Sequence, residues 1–118
     1  MKIPGPDHPI TIAPHSGRVR VIFNGQVVAD TTEALVLQET THRPVFYIPR
    51  ADTQTALFER TAHKTHCPYK GDASYYSIRV GDKVSQNAIW SYEQPFPAMA
   101  DIAGYLAFYR DRVDAIES

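Results

Sequence analysis

Arg18-Val19-Arg20-Val21-Ile22-Phe23-Asn24-Gly25-Gln26-Val27-Val28-Ala29-Asp30 reads as a β-hairpin. Charge alternates with apolar bulk before Asn24-Gly25, and branched residues resume after it. A two-residue type I′ turn needs positive φ at both central residues, and asparagine followed by glycine meets that need at least cost. The next apolar runs are equally short. Ala34-Leu35-Val36-Leu37-Gln38-Glu39 and Val45-Phe46-Tyr47-Ile48 are rich in branched or aromatic residues, with a turn over Thr40 to Pro44 between them. Ala73 to Val80, turned by Gly81-Asp82, and Ala88-Ile89-Trp90-Ser91-Tyr92 continue the pattern. The expected fold class is mostly β: a small single-domain antiparallel β-sandwich or β-roll with one or two short helices.

The remaining segments are read from their breakers. Asp52 is placed to N-cap a short helix over Thr53 to Arg60, and Thr61 to Lys70 reads as a His-, Lys- and Thr-rich loop. Pro97 suits the first position of one helical turn over Ala98 to Ala103, ended by Gly104. Tyr105-Leu106-Ala107-Phe108-Tyr109 then closes the sheet as a strand. The alternative is a single helix from Ala98 to Val113, because Ile102, Leu106 and Tyr109 share a helical face. Residues 1–17 carry Pro4, Pro6, Pro9 and Pro14, which remove backbone donors. They are expected to form an irregular surface lead-in, with Ile10 and Ile12 docking it and His8 and His15 in solvent. Residues 18–118 are expected to form the single β-rich domain.

Composition narrows the function classes. At 118 residues the chain suits one domain that hides roughly two thirds of the surface its unfolded form exposes. Lys plus Arg number 12 and Asp plus Glu 13, a formal net charge of −1 that gives no broad attraction for nucleic acid or an anionic membrane. One cysteine excludes an intramolecular disulfide framework and fits a reducing compartment. No apolar run follows Lys2 as in a secretory signal, and none approaches the length of a membrane span. The expectation is a cytoplasmic protein.

The chemistry-bearing residues converge on His66-Cys67-Pro68-Tyr69-Lys70-Gly71-Asp72-Ala73-Ser74-Tyr75-Tyr76. Pro68 and Gly71 can fold Cys67 and Lys70 toward each other across a tight turn. A thiol becomes reactive when nearby positive charge favours its thiolate and solvent reaches it, whereas free cysteine commonly packs as a small apolar side chain. Both readings of Cys67 stay open. Lys70 is a candidate anchor for a phosphate or carboxylate, or else an exposed turn lysine. His63, His66 and Cys67 have spacing that zinc tolerates, but three ligands without a second cysteine pair fall short of a structural site, so no metal and no cofactor is assigned. Tyr75, Tyr76, Trp90, Tyr92 and Phe108 are candidates either for stacking a planar ligand or for core packing. There is no Gly-rich phosphate loop, and no Gly-x-Ser-x-Gly elbow. No close acidic pair falls on an expected strand, and Asp111 and Asp114 read as part of a solvated tail.

These residues resemble the small bacterial "domain of unknown function" family four-two-seven, which sometimes carries a nucleotidyltransferase-like heading. The resemblance rests on the hairpin Arg18 to Ala29, on Tyr47-Ile48-Pro49, and on the Cys67-Pro68-x-Lys70-Gly71-x-Ala73-x-Tyr75 core. Ala88-Ile89-Trp90-Ser91-Tyr92 with Pro95, and Ala107-Phe108-Tyr109, extend it to roughly Arg18 to Val113. It implies a compact antiparallel β domain with no settled activity. The site expected from the residues comprises Cys67 and Lys70 as catalytic candidates, with Gly71, Tyr75, Trp90 and Tyr92 as ligand-binding ones. The expected partner is a small anionic ligand. The alternative is a non-catalytic interaction or homodimerising domain whose aromatic strands pack against another chain.

Overall fold

The computed structural model describes residues 1–118, and it is mostly β. Ten strands run β1 (Ile10–Pro14), β2 (Val19–Phe23), β3 (Gln26–Thr31), β4 (Leu35–Glu39), β5 (Val45–Tyr47), β6 (Phe58–Cys67), β7 (Gly71–Val80), β8 (Lys83–Ser91), β9 (Ala107–Phe108) and β10 (Ala115–Glu117). They form three antiparallel sheets in the orders β1-β4-β5, β10-β2-β3 and β6-β7-β8-β9. The only helical pieces are short 3₁₀ turns. No helix is long and apolar enough to cross a membrane.

The hairpin forms as expected, with φ of 49° at Asn24 and 76° at Gly25. An added Cβ on Gly25 would meet nothing within 4 Å, so only the backbone conformation requires glycine there. Gly25→Ala is therefore expected to cost about 1 kcal/mol, the penalty for a Cβ in the left-handed region, measured as a lower urea midpoint with an unchanged slope.

Two layers of core lie on opposite faces of the β8–β9 region. Ile89 and Phe108 belong to a cluster with Val19, Val21, Val28 and Ile78, while Ala107 belongs to a second with Leu37, Tyr47, Tyr75 and Tyr92. A strand buried on both faces reads as a continuous apolar run, which is why Leu106-Ala107-Phe108 mimics a helical pattern in sequence. A bridge between Ile48 and Leu106, with reciprocal backbone hydrogen bonds of 2.8 Å, joins the β4 sheet to the β7 sheet.

Four expectations change. The helix expected over Thr53 to Arg60 is instead 3₁₀ turns at Arg50–Asp52 and Thr55–Leu57, followed by the start of β6. Asp52 accepts a hydrogen bond from Thr31 Oγ1 at 2.7 Å and makes no side-chain cap. The expected loop over Thr61 to Lys70 is largely β6. As the edge of its sheet β6 is mostly solvated, so it carries His, Lys and Thr without apolar alternation, as exposed edges do. In the lead-in, Ile10–Pro14 forms strand β1 against β4. It too is an edge strand, where proline is tolerated, and Pro9 serves only as acceptor for Thr40 N–H. Lastly, His8 and His15 are half-buried rather than fully solvated. At the C-terminal side, Pro97–Ile102 forms a 3₁₀ segment and Ala107–Phe108 the closing strand, so the single-helix alternative does not form.

Candidate functional site

The three residues Pro68-Tyr69-Lys70 join β6 to β7, with Cys67 paired opposite Gly71. The turn is held from two sides: Lys2 N–H donates to Pro68 O at 2.7 Å and Phe96 N–H to Lys70 O at 3.0 Å. Gly71 has φ of 110°, a value that side chains strongly disfavour, and it lets the chain reverse beneath Pro95 and Phe96. The result brings Lys70 Nζ to 3.8 Å from Cys67 Sγ. Cys67 is half-buried and packs against the second core cluster.

Lys70 is not an exposed turn lysine. Its side chain is 10% exposed and its ammonium pairs with Glu39 Oε1 at 2.5 Å. The other oxygen of Glu39 accepts from His8 Nε2 at 2.8 Å. His8 is fixed in turn by stacking on Tyr69, ring centres 4.0 Å apart and planes within 6°. Burial raises the Glu39 carboxyl pKa, but the hydrogen bonds from Lys70 and His8 outweigh it and hold it below the ordinary carboxylate value. Thus the Pro-rich N-terminal segment supplies one member of the site.

Beside this pair lies a cavity of about 230 Å³ between the inner faces of the β4 and β7 sheets. Leu37, Glu39, Val45 and Tyr47 come from one sheet, with His42 and Arg43 from the loop between β4 and β5; Tyr75 and Trp90 come from the other, with Lys70 and Tyr92 at its ends. Tyr75 and Trp90 are direct cross-strand partners and so share a face. Trp90 Nε1–H donates to Tyr47 OH at 3.2 Å, and the hydroxyls of Tyr75 and Tyr109 lie 3.1 Å apart. Burial pushes the phenols of Tyr47 and Tyr92 far up, and burial with the Tyr75 hydrogen bond pushes Tyr109 up to about 12. All three are therefore neutral hydrogen-bonding groups near pH 7. Tyr92 lines the cavity and its hydroxyl has no partner within the chain.

Of the residues expected in the site, Lys70, Tyr75, Trp90 and Tyr92 line this one cavity. Cys67 sits behind Lys70, and Gly71 acts through the backbone. Tyr76 points to the opposite face, where it donates to Glu93 Oε2 at 2.7 Å within a network including Arg50 and Arg60. Phe108 packs in the core, edge-on to Phe58. His63 and His66 diverge: His63 packs on Tyr75 and His66 bonds Asp72 at 2.7 Å. No group of three or more His, Cys, Asp or Glu side chains is arranged to hold a metal ion. Asp114 accepts a hydrogen bond from Gly25 N–H at 2.9 Å, so it helps pin the first hairpin.

Glu39, His8, His42, Arg43, Tyr47 and Tyr109 join the site without having been expected there. One signal for Glu39 was present. It follows Leu35 and Leu37 at strand period, which puts a carboxylate at the end of an inward-facing row. His8 had no such signal, since its contact spans 31 residues.

Fold and site together define a small antiparallel β domain with a phenol-lined cavity floored by a lysine–glutamate pair. The chain belongs to the family described as "Domain of unknown function (DUF427)", whose model matches residues 11–118. That match includes strand β1 from Thr11 on and the whole cavity apart from His8's contribution to its floor. A search of curated proteins gives no significant match.

Proposed function

We propose that this domain binds a small planar molecule in the tyrosine-lined cavity, with a hydrogen-bonding group of the ligand set against Lys70 and Tyr92. The observation that carries the reading is the character of that wall. Four tyrosines and the indole of Trp90 surround a space with an ion pair at one end. Aromatic walls with a few convergent polar groups are the usual make-up of small-molecule sites. An ammonium has three donors, and Glu39 and Cys67 occupy two, which leaves one for a ligand. Because Glu39 neutralises Lys70, the floor suits a carbonyl, hydroxyl or carboxyl group better than a multiply charged phosphate. An activity at Cys67 is not needed for this reading.

Trp90 is the only tryptophan, so its emission reports occupancy directly. A panel of planar fragments bearing carboxamide, phenol or carboxylate groups is titrated against the intact protein. Tyr92→Phe breaks no internal hydrogen bond and is expected to keep the unfolding midpoint, while weakening the best fragment about fivefold through one lost hydrogen bond. If no fragment changes Trp90 emission, or Tyr92→Phe binds every fragment as well as the parent, the cavity is only a packing gap.

A further inference from the structure

A second opening, also of about 230 Å³, lies where the three sheets meet, on the other side of Arg43, Val45, Trp90 and Tyr109 from the tyrosine cavity. Its character is different. Eight of its 11 lining residues are hydrophobic and none is acidic, whereas the neighbouring cavity holds the Glu39–Lys70 pair. Its floor is Val21, Ile48 and Phe108, which are 0%, 1% and 6% exposed, so the opening reaches the main core. Phe46 forms part of the wall. The rim carries Arg43 and Arg110, both exposed.

Five of the eight arginines have partners, and of the three that have none, Arg43, Arg79 and Arg110, only Arg43 and Arg110 line this opening. Arg18 pairs with Asp30, Arg20 with Glu117, and Arg50 and Arg60 both with Glu93. Arg112 donates to Asn87 O and lies over the Tyr109 ring. Arg43 and Arg110 make neither an ion pair nor a side-chain hydrogen bond, and no acidic residue lines the opening. An apolar shaft reaching the core, with two unneutralised forks at its mouth, is complementary to an apolar chain ending in an acid. Arginine presents parallel donors that match a carboxylate. The space holds on the order of eight water-sized groups, which sets the scale of the ligand at a medium-length chain.

We infer that this cleft is a binding site for a small apolar monocarboxylate, its hydrocarbon on Val21, Ile48 and Phe108 and its carboxylate between Arg43 and Arg110. The site adjoins the tyrosine cavity, with which it shares Arg43, Val45, Trp90 and Tyr109, but Arg110 and the apolar floor belong to it alone, and it does not depend on the reading given above. Trp90 lines both and reports on either.

The test titrates the intact protein with octanoate, octan-1-ol and octylamine, by calorimetry and Trp90 emission. Octanoate is expected to bind at one site, about tenfold more tightly than the alcohol, and the amine not at all. Arg110→Gln is expected to weaken octanoate about fivefold and the Arg43→Gln/Arg110→Gln pair further, with alcohol binding unchanged. Both arginines are exposed, so folding is not at risk. Tyr92→Phe, which probes the neighbouring cavity, is expected to leave octanoate affinity within twofold. Equal affinity for octanoate and octanol, or octanoate binding indifferent to both arginines, would overturn the assignment. So would sedimentation showing a dimer that the apolar cleft variant Phe46→Glu dissociates, since the occupant would then be a second copy of this chain.

Discussion

Glu39→Ala is expected to lower the unfolding free energy by about 3 kcal/mol, the range found when one partner of a buried ion pair is removed. The cost arises less from the lost attraction than from what is left behind. Lys70 and Glu39 side chains are 10% and 16% exposed, and without the carboxylate the ammonium keeps only a long contact to the Cys67 sulfur. Lys70→Met is expected to cost less, because Glu39 retains His8. The Glu39→Met/Lys70→Met pair is expected to recover much of the loss, since two apolar chains of similar volume need no partner. Urea unfolding of the parent, Glu39→Met, Lys70→Met and the Glu39→Met/Lys70→Met pair gives the coupling directly. A Glu39→Ala cost below about 1 kcal/mol would place the pair with ordinary surface bridges. A double variant as unstable as Glu39→Ala would show that the charges are not the reason for the cost.

The pair also sets a pH dependence whose sign is fixed. The folded-state pKa of Glu39 lies below its unfolded value of 4.5. Its contribution is therefore complete above pH 4.5 and is lost as pH falls through the lower folded value. Replacing Glu39 is expected to flatten the acid limb of the stability curve below pH 4.5 and to leave the slope above pH 6 unchanged.

Gly71→Ala is expected to cost about 2 kcal/mol, the second largest effect, for a reason in the backbone alone. A Cβ there would meet Phe96 N at 3.5 Å and Pro95 Cα at 3.6 Å, ordinary contacts that need no displacement. The φ of 110° is the obstacle. Relaxing it would rotate the Lys70 carbonyl away from Phe96 N–H and shift the ammonium from Glu39. The loss should therefore exceed that of Gly25→Ala, whose turn is open to solvent, and should weaken fragment binding in the tyrosine cavity as well. A Gly71→Ala protein matching the parent in urea would mean that the turn relaxes freely and does not fix the site.

Local backbone demands were legible in the residues, and they carried most of the fold. Asn24-Gly25 fixed the first hairpin, Gly81-Asp82 the turn between β7 and β8, and Pro68 with Gly71 the approach of Cys67 to Lys70. Each depends on φ values or ring closure within a few neighbouring residues, so no distant contact is required to read them. Paired β-branched and aromatic runs gave the inner strands for the same reason. The polar edge strands β1 and β6 were hidden, because an edge faces water and needs no apolar alternation.

The site divides along the same line. Tyr75, Trp90 and Tyr92 announce themselves by type, and the turn announces Lys70. Whether that lysine is a free cation is not a local property. It was decided by sheet packing that brings Glu39 across 31 residues and by an N-terminal strand that delivers His8 to the same carboxylate. Charge neutralisation depends on distance in space, which only the assembled sheets determine. The same holds for Arg43 and Arg110: their sequence neighbours are unremarkable, and their lack of partners at the mouth of an apolar cleft exists only once three sheets meet.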